Sequence, residues 1–207
     1  MSFFYLPDVR SVMRGLDEGV SSVMGELSYL EEGRESAIAL SRRVIRQTKA
    51  VIHGMHASGD ASATLPELKG TMDGLLELCR DPWIRTLGPV QDAMCEYCEA
   101  VLFVSMMHGE GLPTHTALGV TAASWAMGLA DCEGEIRRAV MARLMDGDLD
   151  SAMGLFQMME EVHNAVMLFD VPDGVAPMRR KQDIARGIMD KTRSDLTMAS
   201  IMDMGRR

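Results

Sequence analysis

Apolar residues recur along the first part of the chain with the three- and four-residue spacing of one helix face. One stripe covers residues 9–27 and a second covers residues 38–55, and Asp8 is placed to cap the first helix. The second stripe fades in the small, polar segment 57–62, which predicts a loop. The opening pattern therefore predicts helices.

Capping residues, glycines and prolines divide the rest of the chain into further helices. Thr64 and Glu67 have the spacing of a capping box, which opens a helix that ends before residues 81–82. Thr121 and Asp148 are placed to cap two of the later helices. These four later helices are predicted over about residues 88–108, 121–146, 148–169 and 177–202. No segment alternates apolar and polar residues, so the predicted fold class is all-α, a bundle of six to seven helices.

Composition and charge place the chain among ordinary globular proteins. It has 207 residues, of which 47% are hydrophobic and 25% charged, so residues 1–207 are predicted to form a single domain. Thirty acidic residues against 21 Lys and Arg give a net charge of -9, which excludes a uniformly basic surface for nucleic acid. Any contact with nucleic acid has to come from a local basic patch.

The cysteines and the uncharged segments bear on the compartment. The four cysteines are too few and too irregularly spaced for the disulfide framework of a small secreted domain, so a cytoplasmic location is expected. The longest uncharged run, residues 111–130, contains Pro113 and His115 beside several threonines and glycines, so no membrane span is predicted. No secretory signal is expected at the N-terminus.

Two predicted helices each carry a pair of acids on one face. Glu96 and Glu99 are three residues apart, and Asp131 and Glu135 are four apart. Glu99 interrupts the otherwise uncharged segment 97–107, and Asp131 is the first charge after twenty uncharged residues. A carboxylate in such surroundings has to be paired, neutralised or bound to a cation.

A divalent cation would satisfy all four carboxylates. Oxygen ligands without a soft partner favour Mg²⁺ or Mn²⁺ over Zn²⁺, and carboxylate-held Mg²⁺ commonly serves chemistry on phosphates. The ion would polarise a phosphodiester, and a carboxylate outside the ligand set would accept the proton of the attacking water. The alternative is a solvated helix face whose acids pair with Arg137 or Arg138.

Other arrangements of metal ligands have weaker support. Glu160 and His163 form a Glu-x-x-His pair, but a carboxylate-bridged di-iron bundle needs this pair twice. The four cysteines could bind zinc, yet Cys95 and Cys98 lie in mid-helix, which favours core cysteines. Glycine-rich nucleotide loops and serine-hydrolase motifs are absent from the sequence.

Positive charge is concentrated in two segments. Arg42, Arg46 and Lys49 share one helical face within residues 36–56, which contain no acid. A second group opens the last helix, and its members are Arg179, Arg180, Lys181, Arg186, Lys191 and Arg193. Such a face is often only solvated; the alternative is that the first face holds a phosphate backbone near the carboxylates.

Several of these segments resemble the translin family, and more closely translin-associated factor X than translin itself. Residues 96–101, Glu-Tyr-Cys-Glu-Ala-Val, are similar to the Glu-Tyr-x-Glu-Ala segment of the family. Residues 128–138 resemble its Gly-x-Ala-Asp-x-x-Gly-Glu-x-x-Arg signature, and residues 40–52 resemble its first long helix. The charged start of the last helix fits archaeal members. The resemblance covers about residues 35–200.

The resemblance implies a seven-helix subunit of a hollow, octamer-like assembly that binds single-stranded RNA or DNA. In the factor X type it further implies cleavage of RNA with Mg²⁺. The acids that match its catalytic metal ligands are Glu96, Glu99, Asp131 and Glu135.

The main functional hypothesis is therefore a Mg²⁺-dependent endoribonuclease that acts on single-stranded RNA as a homo-oligomer. Arg42, Arg46 and Lys49 are the candidate RNA contacts. A non-catalytic protein that binds single-stranded RNA or DNA is the second hypothesis. A third is an all-α nucleotide pyrophosphohydrolase, which also sets paired acids on helices around Mg²⁺.

Overall fold

The computed structural model describes residue 10 and residues 13–205. Within these residues it contains seven α-helices and no strand, which confirms the predicted fold class. The helices are α1 (Leu16–Ser58), α2 (Leu65–Leu78), α3 (Pro82–Arg85), α4 (Gly88–His108), α5 (Ala122–Met145), α6 (Leu149–Met167) and α7 (Met178–Met204). None of the helices in this described part combines the length and the apolar character that crossing a membrane requires.

From Leu16 onward, the first apolar stripe joins the second in one long helix, α1, because no proline interrupts residues 28–37 and the helix continues through them. The second stripe packs into the core through Val44, Val51 and Ile52, as its spacing predicted. The part of the first stripe that the structure describes is exposed to solvent instead. Asp8 and the beginning of that stripe lie outside the described residues.

Two of the predicted helix caps are present and one is wrong. The Thr121 and Asp148 side chains accept hydrogen bonds from the backbone N–H of the residue three positions on. Thr64 precedes α2 but caps no backbone N–H, because its backbone is helical and not extended. Its expected partner Glu67 instead accepts hydrogen bonds from Arg43 and Gln47 of α1. The predicted capping box does not form, and Glu67 instead links α2 to α1.

The centre of the bundle is α4, thirteen of whose residues are buried. It packs against α1 on one side and α5 on the other, and α5 also contacts α6 and α7. A charged side chain on α4 therefore has solvent only where neighbouring helices leave a gap. This position of α4 explains why its apolar residues extend around the whole helix.

Candidate active site

The crossing of α4 and α5 depends on Gly128. A Cβ atom on this residue would lie 2.6 Å from both the carbonyl oxygen of Cys95 and the Cβ of Cys98. The two helices therefore meet with backbone against backbone at this point. The contact brings Asp131, one turn further along α5, opposite the face of α4 that carries Glu96 and Glu99.

These three carboxylates line one cavity. Glu96 and Glu99 of α4 share it with Asp131 of α5 and with Lys181 of α7, and its volume is about 300 Å³. Gly134, a glycine of α5, also borders it, and its missing side chain leaves room beside the acids. The structure thus brings together three of the four acids that the sequence selected.

The fourth acid, Glu135, does not line this cavity. Its Oε2 lies 2.5 Å from Nε2 of His56 in α1 and 3.7 Å from a guanidinium nitrogen of Arg138. The His56 ring is largely buried and lies against the ring of Phe103, with 5.1 Å between the ring centroids. The role of Glu135 as a metal ligand stays a prediction. Its contact with Arg138 agrees with part of the alternative, in which the acids pair with Arg137 or Arg138.

Burial and mutual repulsion change the acidity of the cavity carboxylates. Burial raises the pKa of Glu99, the charges of Asp131, Glu96 and Glu135 add to this effect, and together they bring it to about 8. Burial also raises the pKa of Glu96, and Asp131 adds to this effect. Negative charge is therefore in excess at a half-buried position, which is a setting that favours a bound cation.

Lys181 is a residue of the acidic cavity that the sequence did not single out. Its Nζ donates hydrogen bonds to both carboxylate oxygens of Asp131, at 2.6 Å from Oδ2. Burial lowers the pKa of Lys181, but the hydrogen bond and the charge of Asp131 outweigh burial, so that the pKa is raised overall. The sequence showed it only as one basic residue of the last helix, because nothing local indicates contact with an acid fifty residues earlier.

The donor set suits a hard divalent cation by its chemistry, although Asp131 is engaged by Lys181 and the carboxylates are not yet arranged around a common point. Glu96, Glu99 and Asp131 offer only carboxylate oxygens, which Mg²⁺ and Mn²⁺ prefer. The Sγ of Cys95 lies 3.6 Å from Asp131, but burial raises the pKa of this thiol, so it stays protonated. Among residues 13–205, no three His, Cys, Asp or Glu side chains are arranged to hold an ion together.

The other metal sites considered from the sequence do not form. All four cysteines are buried free thiols whose pKa values burial raises, as expected for core cysteines. Glu160 pairs with Arg193, whereas His163 contacts the buried Glu133 of α5. The Glu-x-x-His pair is thus directed at two different partners.

One residue of the predicted basic face of α1, Lys49, lies near the acidic cavity. Arg42, Arg46 and Lys49 are exposed, while the opposite face of α1 is buried. The charge of Lys49 lowers the pKa of Glu96 and opposes the effect of burial, so this lysine lies near the cavity. Arg43, on another face, is engaged by Glu67 at 3.1 Å. A phosphate chain on the basic face would pass close to the carboxylates.

The all-helical fold of this chain has counterparts among known proteins, although no family model matches the chain. The uncharacterized protein MJ0175 of Methanocaldococcus jannaschii is 30% identical over 184 residues, which are 84% of this chain and 82% of that protein. The crystal structure of AfC3PO matches with a TM-score of 0.80 at 28% identity, over 89% of this chain and 98% of that one.

Two further solved structures share the fold. AfC3PO in complex with duplex RNA matches with a TM-score of 0.73 at 26% identity, over 89% of this chain and 98% of that one. Apo-NeC3PO is alike in fold, with a TM-score of 0.77 at 22% identity, over 87% of this chain and 96% of that one. The fold is that of a C3PO-like helical subunit. The chain belongs to the translin family.

Proposed function

We propose that this protein binds RNA through the basic face of α1 and cleaves single-stranded RNA with Mg²⁺ or Mn²⁺ in the acidic cavity. The observation that carries the proposal is that Glu96, Glu99 and Asp131 line one cavity, with the exposed Lys49 of the basic face close to Glu96. The complex of the similar AfC3PO with duplex RNA supports the binding of RNA by this fold. Single-stranded DNA is a further candidate ligand.

The acids of the site would take different roles in such a reaction. Glu96, Glu99 and Asp131 would hold the ion, with Glu135 as the fourth predicted ligand, and the bound ion would polarise the phosphodiester and acidify its water. Glu99, whose pKa is about 8, has to lose its proton before it can serve as a ligand. Whichever of Glu99 and Glu135 is not engaged by the ion would accept the proton of the attacking water.

Cleavage assays on charge-neutral variants test the catalytic part. Glu99→Gln and Asp131→Asn should reduce cleavage of labelled single-stranded RNA to the level measured in EDTA, with assembly unchanged. Glu110→Gln, which removes an exposed acid just after α4, is the matched control and should cleave normally. Full metal-dependent cleavage by both cavity variants would contradict the assignment.

A non-catalytic RNA-binding protein is the second candidate, and the contacts of two of the acids favour it. Asp131 is already held by Lys181, and Glu135 contacts His56 and Arg138. RNA binding without metal-dependent products would establish this alternative. Hydrolysis of free nucleoside triphosphates, with RNA left intact, would instead identify a pyrophosphohydrolase.

We also propose that the protein acts as a homo-oligomer, with an octamer as the expected size. Large apolar side chains on the first half of α1 are 49% to 63% exposed, which is typical of a helix face that awaits a partner. These residues are Leu16, Val20, Val23, Met24 and Leu27. Light scattering during size-exclusion chromatography should give the mass of about eight chains, and the mass of a monomer would contradict the proposal.

A further inference from the structure

The acidic cavity already contains a cation of its own. Among the described residues that line it, three are acids and Lys181 is the only base. Its ammonium group bonds both oxygens of Asp131, and its charge also lowers the pKa values of Glu96 and Glu99. The lysine thus provides charge compensation within the cavity, in addition to that of Lys49 at Glu96.

We propose that Lys181 is an internal counter-ion that occupies the cation site of the ion-free protein and has to leave Asp131 before a divalent ion binds. This inference rests on the proposed function, because that function assigns Mg²⁺ or Mn²⁺ to these acids. It makes Lys181 a positioning residue that sets how tightly the site binds metal.

Competition follows from the geometry of the pair. An ammonium group that bonds both oxygens of Asp131 takes one lone pair of each oxygen, and a divalent ion has to approach the same oxygens to about 2.1 Å. The ammonium group and a divalent ion on one carboxylate would also repel one another. The two cations therefore compete for Asp131.

The lysine is able to move without rearranging the helices. It hangs on a flexible four-carbon chain, its side chain is 29% exposed, and it borders a cavity of about 300 Å³. When it leaves Asp131, its ammonium group stays at the rim of the site. There it would meet the phosphate of a bound RNA, so that one residue compensates acids before metal uptake and phosphate after it.

The energetic consequence is a weakened affinity for metal. A partly buried, charge-assisted hydrogen-bond pair has to be broken for each ion bound, which corresponds to a loss of affinity of about tenfold or more. Lys181→Met keeps the length of the side chain and removes the ammonium group. This variant should bind Mn²⁺ at least about tenfold more tightly than the wild type.

Manganese binding without RNA tests this directly, with free Mn²⁺ measured by electron paramagnetic resonance at fixed pH and salt. Lys181→Gln should behave like Lys181→Met, and Lys181→Arg should keep the weak affinity. Lys49→Met is the charge control, because Lys49 lies near Glu96 without a hydrogen bond to it. If competition for Asp131 is the cause, Lys49→Met should change the affinity for Mn²⁺ only a few-fold, since an exposed charge is screened.

Thermal unfolding supplies a second measurement. Without metal, Lys181→Met should unfold at a lower temperature than the wild type, because it leaves the acids uncompensated. Added Mn²⁺ should then stabilise this variant more than the wild type. Unchanged or weaker Mn²⁺ binding by helical, folded Lys181→Met and Lys181→Gln would overturn the inference, as would an equal gain in Lys49→Met.

These outcomes are separable from those of the nuclease proposal. Metal-dependent RNA cleavage by the wild type, together with unchanged affinity in Lys181→Met, would remove the role of Lys181 and leave the nuclease. Tighter Mn²⁺ binding by Lys181→Met, with no RNA cleavage by the wild type, would support the role of Lys181 and contradict the nuclease proposal. Absence of Mn²⁺ binding in both proteins would overturn the inference.

Discussion

Gly128 of α5 lies so close to Cys95 of α4 that a Cβ atom would be 2.6 Å from the carbonyl oxygen of that cysteine. Direct contact of the two backbones sets the separation of α4 and α5, and with it the distance across the acidic cavity. The site and the core packing therefore depend on the same small residue.

Gly128→Ala should destabilise the protein, because the added methyl group forces the helices apart at a cost of about 1–3 kcal/mol. The higher helix propensity of Ala offsets only about 1 kcal/mol of this cost. Chemical denaturation measures the difference. Gly134→Ala, in the same helix with no atom near the added Cβ, should be neutral or stabilising. Equal stability of the two variants would contradict the close contact.

The raised pKa of Glu99 predicts a pH-dependent stability. Its pKa is about 8 in the folded protein against an ordinary value of 4.5, so the folded chain holds this proton more tightly than the unfolded chain. The contribution of this proton to the free energy of unfolding is complete below about pH 4.5. It is lost as the pH rises through about 8, by at most ~1.4 kcal/mol per pH unit. Denaturation in EDTA at several pH values should show this decline.

Glu99→Gln should flatten that decline, because the amide does not titrate. Glu110→Gln removes an exposed acid near the end of the same helix and should retain the slope of the wild type. A wild-type slope in Glu99→Gln would show that other groups cause the pH dependence.

The basic face of α1 predicts a measurable dependence of RNA affinity on salt. Replacing Arg42, Arg46 and Lys49 together with Gln should weaken binding of single-stranded RNA in EDTA. It should also lower the slope of log affinity against log salt by about 2, since each lost phosphate contact removes about 0.7. Fluorescence anisotropy at several salt concentrations gives both values.

Arg43→Gln is the control for this experiment, because Arg43 is paired with Glu67 away from that face. It should leave the salt slope unchanged. A triple variant with the slope of the wild type would place the RNA elsewhere on the protein.

The buried pair of Glu133 and His163 predicts a large stability effect. Glu133 is fully buried, and its only described hydrogen bond runs to Nδ1 of His163 at 3.1 Å. His163→Ala should cost about 3 kcal/mol in the free energy of unfolding, since it leaves a buried carboxyl without a partner. Adding Glu133→Met should recover part of this loss, whereas His53→Ala, at an exposed position, should have little effect. No recovery in the double variant would assign the loss to packing.

The sequence was sufficient to predict most of the helices and the three acids that share the cavity. Helix periods and ends are local properties, so α4, α5 and α6 could be located from apolar spacing, from Gly88-Pro89, and from the caps Thr121 and Asp148. Glu99 and Asp131 stood out because a charge within a long uncharged stretch has to find a partner. The family resemblance added the expectation of RNA and Mg²⁺.

What only the tertiary structure decided is which side chains meet. Lys181 reaches Asp131, and His56 takes Glu135 away from the cavity, because helices distant in the chain cross at these points. The first stripe of α1 has the same spacing as the second, yet it is exposed, since no other helix of the described chain covers it. Periodicity indicates which face of a helix is apolar, but the partner of that face is set by packing over the whole bundle.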